Sequence, residues 1–162
     1  MQNSIEKDAL FQEISAVLQP IGLRVVDVRS DEHRDATHVV VTITNTGHTA
    51  GIDDCAKAHR IIFPRLSLLG GERNLDLEVS TPGVQRIFRD LHEFALFEGK
   101  RCRVYDSGPG AWIEGIIGPL SESEVILYNA SIEDSKETME TYHIPHGRVQ
   151  KAKLAYAWED MS

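Results

Sequence analysis

The sequence predicts an α+β protein in two parts. The first, residues 1–89, reads as an α-β-β-α-β sandwich, a three-stranded sheet carrying two helices; the second, residues 90–162, reads as a small β-barrel. Three observations predict this. Apolar residues recur at helical spacing in two stretches, over residues 4–19 and from Asp53 onward. Leu75, Leu77 and Val79 alternate strictly with Asp76, Glu78 and Ser80, the period of a strand with one dry face. Beyond Phe88 the helical period gives way to short β-branched runs broken by glycine and proline.

Residues 4–19 form the first predicted helix, with Leu10, Ile14, Val17 and Ile21 on one stripe, widened by Phe11 and Leu18. Pro20 and Gly22 end it. Residues 23–29 read as a strand, 31–35 as a charged connection, and 37–44 as a strand with Val39, Val41 and Ile43 on one face. The second helix carries Ile52, Cys55, His59, Ile62 and Leu66 on its stripe, and Pro64 is expected to kink or end it. After the strand at 75–80, Thr81-Pro82-Gly83 predicts a type II turn. Pro82 fixes φ at its second position and Gly83 supplies the positive φ of its third. Arg86 is the next charged residue, expected to be presented beyond that corner.

In the second part, residues 91–97 suit one or two helical turns. Strands are predicted at 101–105, 112–117, 125–128, 138–143 and 151–156, with a short helical turn at 146–149. Asp106-Ser107-Gly108-Pro109-Gly110 reads as a hairpin loop. Five short strands after a helical turn fit a barrel of the Sm-like or SH3-like type.

The formal charge is −8, and both parts are acidic: 9 basic against 12 acidic residues through Phe88, then 8 against 13. Tight independent binding to RNA phosphates is disfavoured by that balance, whereas attraction to a basic protein is favoured. No apolar run approaches the ~20 residues that span a bilayer, and no membrane partner is expected. Cys55 and Cys102 lie far apart, neither a disulfide framework nor a metal-spaced pair. A reducing cytoplasm is the expected compartment.

Residues that could carry catalysis each have a simpler reading. Asp53 and Asp54 are adjacent and so do not face one another on a helix; acids in a first turn cap it. Cys55 and His59 share a helical face but have no further ligand at zinc spacing. Gly70-Gly71 and Gly108-Pro109-Gly110 lack the phosphate-loop order. The expectation is therefore no enzyme, with no catalytic residue, no metal and no cofactor.

Four patches carry a resemblance. Leu77-Glu78-Val79-Ser80-Thr81-Pro82-Gly83 resembles the strand-and-turn signature of the RimP family of bacterial ribosome maturation factors. Gly51-Ile52-Asp53-Asp54-Cys55 is similar to that family's lead into its second helix, and residues 94–104 to the start of its C-terminal domain. Ile144-Pro145 with residues 149–154 resembles its closing segment. Where the family follows its turn with Leu-Asp-Arg-Pro, this chain has Val84-Gln85-Arg86-Ile87, and only the arginine carries over.

The resemblance implies a non-enzymatic assembly chaperone, a monomer, that binds the immature small ribosomal subunit. It also implies ribosomal protein S twelve and nearby rRNA as contacts. Ser80, Thr81, Pro82, Gly83 and Arg86 are then the expected partner-binding or domain-junction residues. Arg101, Arg103, Arg148, Lys151 and Lys153 are candidates for an auxiliary rRNA contact, with Tyr105, Tyr142 and Tyr156 near enough in sequence to stack on bases. Plain solvation of a strand face is the other reading of those cations. Two alternatives remain: a free-standing Sm-like RNA regulator, and, last, a hydrolase using Asp53, Asp54 and His59.

Overall fold

Asp8 decides where the first helix begins. Its carboxylate accepts the Phe11 N–H at 3.0 Å, so α1 runs Ala9–Leu18 and the residues before it form a separate 3₁₀ turn at Ile5–Lys7. The helix is thus shorter than residues 4–19, because an N-cap acid ends the amphipathic stretch from inside. Phe11, Ile14 and Leu18 are its buried residues, while Ile21, placed on the stripe by spacing, lies beyond the helix and is exposed. Gly22 closes the segment at φ 76°, the left-handed conformation glycine adopts freely.

The computed structural model describes residues 1–70 and 74–155. The chain divides into two units, one of Ser4–Pro82 and the other of Gly83–Ser162 together with Met1–Asn3. Each is described by itself.

In the first unit, β1 (Leu23–Glu32) pairs antiparallel with β2 (Ala36–Asn45), and β2 pairs parallel with β3 (Asn74–Ser80). Both early strands run longer than predicted, and the charged connection shrinks to a tight hairpin in which the His33 N–H donates to Ala36 C=O at 2.8 Å. Helix α2 (Ile52–Leu69) supplies the crossover that a parallel pair requires. Val39, Val41 and Ile43 form one buried cluster with Phe11, Ile14 and Leu18 of α1 and with Ala58, Ile62 and Leu66 of α2.

Helix α2 departs from expectation twice. It continues through Pro64 to Leu69. Pro64 is exposed while Ile62 and Leu66 are anchored in the core on either side, so packing outweighs the ~3 kcal/mol that an interior proline costs. Ile52, expected on the apolar stripe, opens the helix with 88% of its surface exposed.

In the second unit, α3 (His92–Leu96) precedes β4 (Arg101–Asp106), β5 (Ala111–Ile117), β6 (Glu124–Ile132), β7 (Thr138–Pro145) and β8 (Val149–Leu154). The strands pair in the order β7-β6-β5-β4-β8, all antiparallel. A 3₁₀ turn at His146–Arg148 links β7 to β8. The predicted last strand, 151–156, starts two residues early, and Tyr156 lies outside the described residues.

Gly115 marks a bulge between β5 and β6. A Cβ there would sit 3.0 Å from Tyr128 C=O and 3.1 Å from Leu127 Cβ, so only glycine lets the strands approach this closely. Phe88, Phe94 and Phe97 form a buried aromatic cluster, with Phe88 edge-on to Phe94 at 5.0 Å and stacked on Phe97 at 5.5 Å.

Candidate functional site

The predicted turn is shifted by two residues. β3 ends at Ser80, whose register partner is Thr42, and the closing hydrogen bond runs from the Arg86 N–H to Gly83 C=O at 3.0 Å. Gly83 therefore opens a turn and does not occupy its third position. Positive φ is found at Gly22, Gly99 and Gly110 and not at Gly83, so the type II geometry expected at Pro82-Gly83 is absent. Ser80, Thr81 and Pro82 are half-buried and close the first unit; Gly83 and Arg86 belong to the second.

Arg86 is turned inward. Its Nε donates to Glu93 Oε1 at 2.9 Å, with the Arg86 side chain 13% exposed and that of Glu93 0%. The other carboxylate oxygen, Oε2, accepts the Arg89 N–H at 2.6 Å and the Asp90 N–H at 3.1 Å. Asp90 Oδ1 in turn accepts the His92 N–H at 3.0 Å. Asp90 and Glu93 thus cap the start of α3 reciprocally, and Arg86 neutralises the buried acid that does it. An exposed, presented guanidinium was expected; the buried acid claims it instead. The Asp-x-x-Glu spacing at 90–93 is a capping-box signature that could have identified Glu93 from sequence.

Backbone pairing fixes this segment further. Arg86 C=O accepts the Leu154 N–H and the Phe88 N–H donates to Ala152 C=O, each at 2.9 Å, so residues 86–88 cover the edge of β8.

The five candidate nucleic-acid cations separate into two groups. Arg148 is drawn to Asp106, a fully buried carboxylate predicted only as the start of a loop. Arg148 Nε and Nη2 donate to its two oxygens at 2.9 and 2.8 Å, Tyr142 Oη donates at 2.7 Å and the Gly108 N–H at 2.9 Å. Burial alone would raise the Asp106 carboxyl, yet the hydrogen bonds from Arg148, Tyr142 and Gly108 hold it below its usual range. Burial, and then the bond to Asp106, raise the Tyr142 hydroxyl. Tyr142 and Arg148 therefore anchor the β4–β5 loop through Asp106.

The other four cations share one face. In antiparallel register Arg103 stands opposite both Lys153 and Glu114, Tyr105 opposite both Lys151 and Trp112, and Arg101 opposite Ile116. Paired residues point to the same side of a sheet. Cys102, Val104, Ile113 and Ala152 alternate onto the opposite, buried side. Trp112 sits among these cations, 5.4 Å from Arg103 Cζ and 5.6 Å from Lys153 Nζ, and edge-on to Tyr105 at 5.6 Å. Sequence reasoning missed Trp112; its position two residues from Glu114 and four from Ile116 on a period-2 strand was the available signal.

Asp54 Oδ2 accepts the Gly51 N–H at 3.0 Å at the head of α2. His59 stacks on Phe63 at 5.6 Å, and Cys55 packs against the core. Among the described residues no three His, Cys, Asp or Glu side chains come together as a metal site. No helix of the described residues is long and apolar enough to cross a membrane.

A family model described as the RimP N-terminal domain matches residues 13–85. Proteins named ribosome maturation factor RimP from Borrelia turicatae (strain 91E135) and Borrelia hermsii (strain HS1 / DAH) are each 25% identical over 155 residues, covering 96% of this chain and 100% of theirs. Among solved structures, an SmAP (LSm) protein from Methanococcus vannielii aligns with TM-score 0.36 and 21% identity over 40% of this chain and 92% of its own. A novel Sm-like archaeal protein from Pyrobaculum aerophilum aligns with TM-score 0.37 and 16% identity, over 41% of this chain and 52% of its own.

Proposed function

From its likeness to the RimP family over nearly its whole length, we propose that the chain is a member and an assembly factor for the small ribosomal subunit, acting in the cytoplasm by binding and without covalent chemistry. The observation that carries this reading is the extent of the likeness. Relatives named as ribosome maturation factors align over 96% of the chain, so they share both units and not one alone.

The partner is the immature subunit. An acidic chain of net charge −8 is attracted to a basic ribosomal protein, and protein S twelve of the small subunit is the one the family likeness implies. Binding energy favours one arrangement of the precursor, and release follows when the mature arrangement competes for the same surface. Ser80, Thr81, Pro82, Gly83 and Arg86, where one unit gives way to the next, form the proposed partner-binding or junction segment. Within it Arg86 pairs with Glu93, whose other oxygen accepts the Arg89 and Asp90 N–H groups just beyond the segment.

The second unit is read as a small barrel of the Sm-like kind. Only the 3₁₀ turn His146–Arg148 joins β7 to β8, which stand at opposite edges of the strand order. Four strand spacings in a flat sheet would separate those edges by ~19 Å, too far for a 3₁₀ turn rising ~2 Å per residue. That short link supports a curled sheet, with the Gly115 bulge as a corner. Arg101, Arg103, Lys151 and Lys153 then lie on the outer face as an auxiliary rRNA contact.

Affinity capture from a lysate tests the proposal. Immature small subunits should be retained in preference to mature ones. Retention of neither, or of both equally, would overturn it, and tight binding to naked RNA that weakens steeply with salt would favour the RNA-regulator reading instead.

A further inference from the structure

Trp112 forms one wall of a cleft of about 300 Å³ whose other lining residues are Arg103, Glu114, Ser131 and Glu133. The cleft lies on the outer face of the second unit's sheet, bordered by the Arg103–Glu133 ion pair and by the Glu114–Ser131 strand pair. We propose that it is a nucleobase site, taking a guanine of a single-stranded RNA segment with Trp112 as the stacking surface. The inference deepens the functional reading above, since it names the RNA feature that the factor would contact.

Three properties select this occupant. The first is a flat ring held in place: Tyr105, the register partner of Trp112 across the β4–β5 pair, meets it edge-on at 5.6 Å. Aromatic side chains on a sheet surface are the usual platforms for unstacked bases. The second is charge. Arg103 and Lys153 lie within 5.6 Å of the ring centroid, with Arg101 and Lys151 on the same face, a local positive field in a chain of net charge −8. That field attracts a phosphate backbone and repels a basic peptide, although a basic peptide is what the rest of the acidic surface favours.

The third property is the acceptor set. Glu133 receives Arg103 Nη2 at 3.1 Å with its side chain 44% exposed, leaving carboxylate lone pairs toward the cleft, and Glu114 and Ser131 are register partners beside it. Carboxylates repel phosphate but accept N–H groups. Guanine offers two adjacent N–H donors on its Watson–Crick edge, which one carboxylate can accept together, whereas uracil offers a single donor. A cleft of this volume stands at the small end of ligand sites, room for one base and not for a folded partner.

The test uses the intrinsic fluorescence of the indole. The chain has two tryptophans, so the Trp158→Phe protein reports on Trp112 alone. Titration with a guanine–uracil hexamer of single-stranded RNA should quench Trp112, and the hexamer should bind about tenfold tighter than oligo-uracil or oligo-adenine. Measured by anisotropy of labelled RNA, Trp112→Ala should weaken binding about tenfold or more, and Trp112→Phe, which keeps a stacking ring, should recover most of it. Glu133→Gln should erase the preference for guanine while leaving binding to oligo-uracil in place. Unquenched fluorescence, equal affinity of the Trp112→Ala and parent proteins, or no base preference would each overturn the inference. Capture of immature subunits by the unmodified protein is scored separately, so loss of the base site and failure of the assembly role give different results.

Discussion

Arg86 and Glu93 form a buried ion pair at 2.9 Å, with 13% and 0% of their side chains exposed. The acid also receives two backbone N–H groups at the start of α3. A charge without solvent and without its partner is costly, so the two residues stand or fall together.

Removal of the cation should be severe. Arg86→Ala leaves Glu93 buried and uncompensated, and a loss of about 3–5 kcal/mol is expected. Glu93→Gln removes the buried negative charge and keeps one acceptor oxygen, although its NH2 then faces either Arg86 Nε or the Arg89 and Asp90 N–H groups; it should still cost less. Urea denaturation of both proteins checks the order; a milder loss for Arg86→Ala than for Glu93→Gln would contradict it. Arg86→Glu, tested for melting temperature and subunit co-sedimentation together, separates folding from partner contact.

Asp106 predicts an acid sensitivity of stability. Its carboxyl titrates lower in the folded chain than in the unfolded one, where ~3.9 is usual. The stability it contributes is fully present above that unfolded value and is lost as pH falls through the lower folded one. Asp106→Asn should therefore be less stable near neutrality and should show a flatter decline below pH ~4. Tyr142→Phe removes one bond to the carboxylate and should cost about 1–2 kcal/mol. Tyr142 carries the opposite sign: its raised pKa gives stability present below the usual tyrosine value and lost as pH rises through the folded one.

The two thiols should differ in reactivity. Cys102 is fully buried, and burial, then the nearby Glu114, push its pKa far upward. Cys55 is partly exposed, its pKa raised by burial and by Asp54. Iodoacetamide followed by mass spectrometry should find slow labelling at Cys55 alone in the native protein, and at both after denaturation. Native labelling of Cys102 would contradict its placement in the core.

Pro64 lies inside α2 at an exposed position. Pro64→Ala restores a backbone donor and a good helix former. The ~3 kcal/mol propensity gain less ~1 kcal/mol from a freer unfolded chain leaves a net stabilisation of about 2 kcal/mol. A raised urea midpoint with unchanged slope is the expected result, and a lowered midpoint would refute it.

The elements came through the sequence where a local period governs them. Val39, Val41 and Ile43 alternate and are all buried, and Ile14 and Leu18 of α1 lie where a helical stripe puts them. Limits came through less well, because single side chains set them: Asp8 caps α1 inside the span predicted for it, and packing carries α2 past Pro64. Site chemistry was the least legible. Tyr142 and Arg148 reach Asp106 across 36 and 42 residues, and no spacing rule announces such a partner. Arg101, Arg103, Lys151 and Lys153 were visible as cations, but their common face follows from the β4–β8 register, which a sequence alone does not state.

Gln2 lies in a parallel bridge with Asp90, and its carbonyl accepts the Leu91 N–H at 2.8 Å. During synthesis that short thread leaves the ribosome long before the residues it will dock against, and must stay unclaimed while the intervening unit takes shape. No single proteolytic nick can then release two self-sufficient pieces: a cut between Pro82 and Gly83 strands Met1–Asn3 on the wrong fragment. Anyone dissecting the chain needs a graft, not a truncation, to keep the later half whole.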